Sequence, residues 1–173
     1  MAMKTNYTRV GFTDKGWNAM LRRMVASDPQ VVVGVMEPVA SQQHHEDDDV
    51  TVGEVANFAE FGFRHRGAEV PPRPFLRTAL VWGSELAIKK IMAKVARDVV
   101  LGTSKNVAIR AAGRWAVRRV VSTMKERVFV PNKQATVDKK GNDWTLRDSR
   151  KLISSIGFEV VTGLRAIAAR FSE

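Results

Sequence analysis

The sequence predicts an α+β fold in a single domain spanning residues 1–173: a small mixed or antiparallel sheet packed against two long helices, with a short N-terminal helix. Three observations predict it. From Ser84 to about Val128 apolar residues recur at helical spacing, interrupted once at Gly102. Residues 31–36 and 156–161 are β-branched or apolar runs of strand length. The chain has 173 residues, 45% hydrophobic and 27% charged, which suits one core of ordinary size and is too apolar for a disordered chain.

Taken in order, Thr13 and Asp14 can cap a first helix with Trp17, Met20, Leu21 and Met24 on one face and Lys15, Arg22 and Arg23 on the other. It ends near Ser27, Asp28 and Pro29. Residues 31–36 then form a strand buried on both faces and stopped by Pro38, with Gly34 marking a close backbone approach or a bulge. Residues 39–50 lack periodicity and read as a mobile acidic loop. Its His44 and His45 stand beside Glu46, Asp47, Asp48 and Asp49, but adjacent ligands on a loop match no zinc or calcium spacing.

Thr51 can cap a helix to about Phe61 that turns Val52, Val55, Ala56 and Ala59 inward and ends at Gly62 in a left-handed cap. A basic loop over residues 64–69 leads to Pro71, Pro72 and Pro74. These fix their own φ and bias their predecessors away from the helical region, so they hold the following segment extended as a stiff corner. Ser84 begins a helix with Ile88, Ile91, Val95 and Val99 on one stripe and Lys90, Lys94 and Arg97 on another, closed by Gly102.

The second long helix starts near Thr103 and Ser104 and offers Ala108, Ala111, Ala112, Trp115 and Val121 to a core. Arg110, Arg114, Arg118 and Lys125 line its opposite side. A solvated face is the plain reading of such a stripe, but with Glu126 as its nearby acid the repulsion along it is not offset locally. Residues 131–142 read as an exposed loop. A helical turn at residues 150–154 precedes the strand at 156–161, Gly163 breaks that strand, and residues 164–171 fit a last strand or a short helix equally.

The formal net charge of +10 and the pI near 10.4 are unevenly distributed. No Lys or Arg occurs between Val31 and Phe63, which hold Glu37, Glu46, Asp47, Asp48, Asp49, Glu54 and Glu60. From Arg64 to Arg127 there are 15 basic residues and 4 acids. Two functions fit: a basic surface for nucleic acid, or complementary faces through which copies or neighbours dock. The absence of a recognisable nucleic-acid module favours the second.

Catalytic chemistry has little to build on. There is no cysteine, which excludes disulfides and thiolate nucleophiles. His65 sits between Arg64 and Arg66, Ser154 and Ser155 have no base assigned to them, and Gly62, Gly67 and Gly83 are too scattered for a phosphate loop. No apolar run reaches the roughly 18 residues of a membrane span. The expectation is a protein that is not an enzyme, with no metal, no cofactor and no membrane.

Asn57, Glu60, Phe61 and Gly62 are followed by Pro72, Arg73, Pro74, Phe75, Leu76 and Arg77, and later by Leu146, Asp148, Ser149, Leu152, Ser155 and Ile156. In this order and spacing they resemble the head-tail joining and tail-completion proteins of tailed bacteriophages, over roughly residues 31–161. Where that family usually has a glycine before its late strand, this chain has Arg150, which suggests a different turn. The resemblance implies a structural virion protein that self-associates into a ring, a hexamer, at the neck of the particle. Its expected neighbours are the portal-side connector and the tail tube or tail terminator, with DNA in the channel, and it would reside in host cytoplasm during assembly. Glu60, Phe61, Arg73, Phe75, Leu76 and Arg77 are the expected interface residues, with Arg73 and Arg77 foremost, and Phe75 fits the core equally. Arg110, Arg114, Arg118 and Lys125 are the expected face for DNA or an acidic partner.

Overall fold

The computed structural model describes residues 29–44, 49–65, 68–126, 128–146 and 150–162, with the isolated positions 19 and 22. The helix expected around Trp17 and the segment 164–171 lie outside them. The described elements run β1 (Pro29–Val35), α1 (Val52–Phe61), β2 (Phe63–His65), β3 (Ala68–Val70), α2 (Phe75–Leu80), α3 (Glu85–Val100), α4 (Lys105–Lys125), α5 (Gln134–Lys140), α6 (Lys151–Ser154) and β4 (Ile156–Thr162). The fold is α+β, with helices packed against two small antiparallel sheets.

β1 and β4 bring the two ends of the described chain together as an antiparallel ribbon, with Val31 opposite Val160, Val33 opposite Phe158 and Val35 opposite Ile156. Successive side chains alternate across a strand, so these three pairs share one face. That face lies on α4, which also packs against α2 and, through the turn at residues 101–104, against α3. Val33, Val35 and Ile156 join one core cluster with Val52, Phe75, Ala79, Val120, Met124 and Leu152. Val31 and Val160 join a second with Val95, Val99, Ala108, Ile109 and Ala112. Burying such side chains stabilises the fold by about 1.5–3 kcal/mol each relative to exposure.

α4 can approach the ribbon closely because of Gly113. A β-carbon there would lie 2.1 Å from the Phe158 ring, so the missing side chain is the space that the aromatic fills. An interior helical glycine ordinarily costs about 1 kcal/mol relative to alanine, and here the packing of Phe158 offsets it. The opposite ribbon face, with Val32, Gly34, Gly157 and Glu159, is half-buried.

Several expectations are corrected. β1 is half-buried along most of its length, because α4 covers one face of a two-stranded ribbon and no third strand flanks it among the described residues. Gly34 makes no bulge: its register with Gly157 is continuous, and a β-carbon there would meet only the end of Met36 at 4.0 Å. The expected loop at 64–69 is instead the short hairpin β2–β3. The chain after Pro74 is not extended but turns directly into α2. The exposed loop expected at 131–142 contains α5, which Gly141 ends at φ 68°.

The core face of α4 is also rotated from its expected position. Ile109, Ala116, Val120 and Met124 are buried, whereas Ala111, Trp115 and Val121 are half-buried. The cause is that α4 is covered on more than one side, by the ribbon, α2 and α3 together, so a single-stripe reading finds only part of its buried surface.

The expectation of mobility at 39–50 falls partly on residues 45–48, outside the described residues. The rest of that segment is tied down. His44 donates its backbone N–H to Val50 O at 2.8 Å, Val52 N–H donates to Gln42 O at 2.9 Å, and Lys151 Nζ donates to Gln43 O. His44 itself is buried.

Candidate functional site

The corner between α1 and α2 is built around Glu60, on the last turn of α1. Thr51 starts that helix with a complete capping box, its hydroxyl accepting from Glu54 N–H while the Glu54 carboxylate accepts from Thr51 N–H at 2.8 Å. The Thr51 backbone N–H, and after it the Thr51 hydroxyl donating to the same carboxylate oxygen at 3.0 Å, hold the Glu54 carboxyl below its ordinary pKa. Gly62 then ends α1 at φ 73°, where a β-carbon would lie 2.7 Å from Val70 O. Glycine is therefore required on both conformational and steric grounds.

Pro74 precedes α2 and offers no side-chain cap, so the free N–H groups of that helix are satisfied from a distance. The Glu60 carboxylate accepts from Leu76 N–H at 2.9 Å and from Arg77 N–H at 3.2 Å, and pairs with Arg77 Nε at 2.9 Å. Arg77 returns a bond from its terminal nitrogen to Glu60 O at 2.7 Å. One carboxylate thus caps one helix from the end of another and fixes a guanidinium beside it.

Arg77 is held between two exposed rings, its guanidinium carbon 5.0 Å from the Phe61 centroid and 5.8 Å from the Trp82 centroid. Phe61 is 65% exposed and Trp82 56%, and Val81 and Leu86 continue the exposed apolar surface. Phe63, also exposed, stacks on Phe58 at 4.7 Å. The result is a rigid aromatic patch around an arginine whose charge Glu60 already offsets. A second exposed apolar group, Val100, Leu101 and Val107, surrounds the α3–α4 turn. It lies at the far end of α3, about 24 Å away at 1.5 Å per residue.

The six expected interface residues therefore divide. Phe61 is exposed in the patch, and Arg77 lies half-buried beneath its rings. Glu60 and Phe75 are inside the fold, 4% and 0% exposed, and Leu76 packs half-buried against the core. They hold the corner and offer no outward anchor. Arg73 also points inward: its Nε donates to Val130 O at 3.2 Å and a terminal nitrogen to Asn132 Oδ1 at 3.1 Å, while Asn132 donates to Trp144 O. Burial pulls the Arg73 guanidinium below its ordinary pKa, but an arginine stays charged.

Arg110, Arg114, Arg118 and Lys125 are all exposed on α4. Among the described residues, the ion pairs are Arg64 with Glu69, Arg77 with Glu60 and Lys94 with Asp98, and none involves this stripe. Arg114 and Arg118 border a shallow hollow of about 470 Å³ whose other walls are Val117, Ile156, Gly157 and Phe158.

Sequence reasoning missed Trp82, Leu86, Leu101 and Val107. Each lies at or near a helix end, where periodicity does not decide exposure. No protein family, curated protein or solved structure compared with the chain matches it.

Proposed function

We propose that this is a structural protein of a tailed-phage particle that assembles into a ring at the head-tail junction and joins the portal-side connector to the tail. The observation that carries the self-assembly is the pair of unlike exposed apolar patches at the two ends of the α3–α4 hairpin. Phe61, Trp82 and Leu86 mark one, and Leu101 and Val107 the other. Scattered surface hydrophobics are ordinary, but aromatics grouped around a fixed arginine have the composition of interface anchors. A ring grows by head-to-tail contact, which needs two different faces on each copy. Placing the first patch of one copy on the second patch of the next covers both. The neck position and hexameric number rest on the resemblance of the Asn57–Gly62, Pro72–Arg77 and Leu146–Ile156 motifs to head-tail joining and tail-completion proteins.

Mass photometry across concentration, with negative-stain imaging of large species, tests the reading. Discrete closed rings of one size, free in solution or on purified tails, are the expected result. A chain that stays monomeric both alone and with tails overturns it.

A further inference from the structure

The patch contacts proposed above do not use the arginine stripe on α4. Arg110, Arg114, Arg118 and Lys125 fall within an arc of about 80° and extend along about 22 Å of helix. Successive arginines rise about 6 Å along the axis. All four are exposed, and none is paired among the described residues. Like charges at this spacing repel, so the stripe carries an electrostatic cost that no ion pair among the described residues offsets.

A second copy is a poor remedy. Each copy carries a formal net charge of +10, and a ring multiplies that excess instead of cancelling it. A polyanion of a different kind neutralises the stripe without adding to that excess. The hollow beside the stripe narrows the choice. Arg114 and Arg118 line it together with the apolar Val117, Ile156 and Phe158. Charged donors beside an apolar surface fit a sugar-phosphate chain, which alternates anionic oxygens with apolar sugar faces.

We propose that the exposed face of α4 binds the backbone of duplex DNA through Arg110, Arg114, Arg118 and Lys125, without reading base sequence. Arginine suits phosphate because its planar fork donates two parallel hydrogen bonds. Contacts of this kind position a protein on DNA and carry no sequence information. The inference is independent of the ring, since a monomer presents the same face.

The test is fluorescence anisotropy of a labelled duplex of mixed sequence titrated with the purified protein at several salt concentrations. Each phosphate neutralised contributes about −0.9 to the slope of log affinity against log salt. The triple substitution R110Q/R114Q/R118Q should make that slope shallower by about 2.7 and weaken binding at least tenfold. The control K89Q/K90Q/R97Q removes equal charge from the exposed side of α3 and should change the slope by less than one contact. Equal losses in both triples would reduce the effect to net charge and overturn the proposal. A wild-type chain that fails to bind DNA, while the stripe variant loses association with another protein, would assign the stripe to an acidic protein surface instead.

Discussion

Glu60 shows how much one side chain can organise. It is 4% exposed and accepts three hydrogen bonds, two from the first turn of α2 and one from Arg77. Hydrogen bonds to charged groups contribute about 1.5–3 kcal/mol each, and an orphaned buried donor costs its desolvation. Glu60→Gln should therefore lower unfolding stability by about 2–3 kcal/mol, read from urea denaturation midpoints; an unchanged midpoint would contradict the capping role. Gly113 is the steric counterpart. Gly113→Ala improves helix propensity by about 1 kcal/mol yet drives a β-carbon into the Phe158 ring. Overpacking costs typically 1–3 kcal/mol, so the net effect should be destabilising, and the added substitution Phe158→Leu should recover part of the loss. Arg150 makes a third case. It occupies φ 61°, the left-handed region, immediately before α6. Glycine favours that conformation, and the rest of the turn expected to differ, residues 148 and 149, lies outside the described residues.

At the level of elements, the helix ends decide the architecture. The Thr51–Glu54 capping box was legible as a threonine followed three residues later by a glutamate, although only the threonine was picked out in the sequence. Because the folded Glu54 pKa lies below its unfolded value, its stabilising contribution is complete above about pH 4.3, the unfolded value. It is lost as pH falls through the folded value. Thermal melts of Glu54→Gln and wild type should differ at neutral pH and converge in acid; a difference independent of pH would contradict this. The segment before α1 makes a second test. Deleting residues 42–48 removes the Gln42 carbonyl that accepts from Val52, the His44–Val50 bond and the Gln43 carbonyl that holds Lys151. The melting temperature should fall by at least about 4 °C, whereas a freely moving loop would leave it unchanged. Helices α1, α3 and α4 and both long strands were legible because their periodicity is set locally. The hairpin β2–β3 was not, because its three-residue strands carry too little pattern. The capping of α2 by Glu60 was not legible either, since it joins residues 16 and 17 positions apart in the chain.

Over the whole molecule, α4 is the central element. Its buried sides carry the ribbon, α2 and α3, and its remaining side carries the arginine stripe. The stripe was visible in the sequence because a charge repeat needs no tertiary information. The exposed patches were not, because exposure of Trp82 or Leu101 depends on which neighbours the fold brings near. The same limit explains why Glu60 read as an interface residue and Phe75 fitted an anchor and the core equally: a proline-stiffened corner looks alike from sequence whether it faces a partner or the interior. The central claim is that the two unlike patches meet head to tail between copies. It is tested most directly by mixing two variants, W82D/L86D, which keeps the second patch, and L101D/V107D, which keeps the first. Their masses are measured singly and together by light scattering. The account predicts that each is monomeric alone and that an equimolar mixture forms a one-to-one dimer that grows no further. Self-pairing of either variant, or a mixture that stays monomeric at concentrations where the wild type assembles, would contradict it.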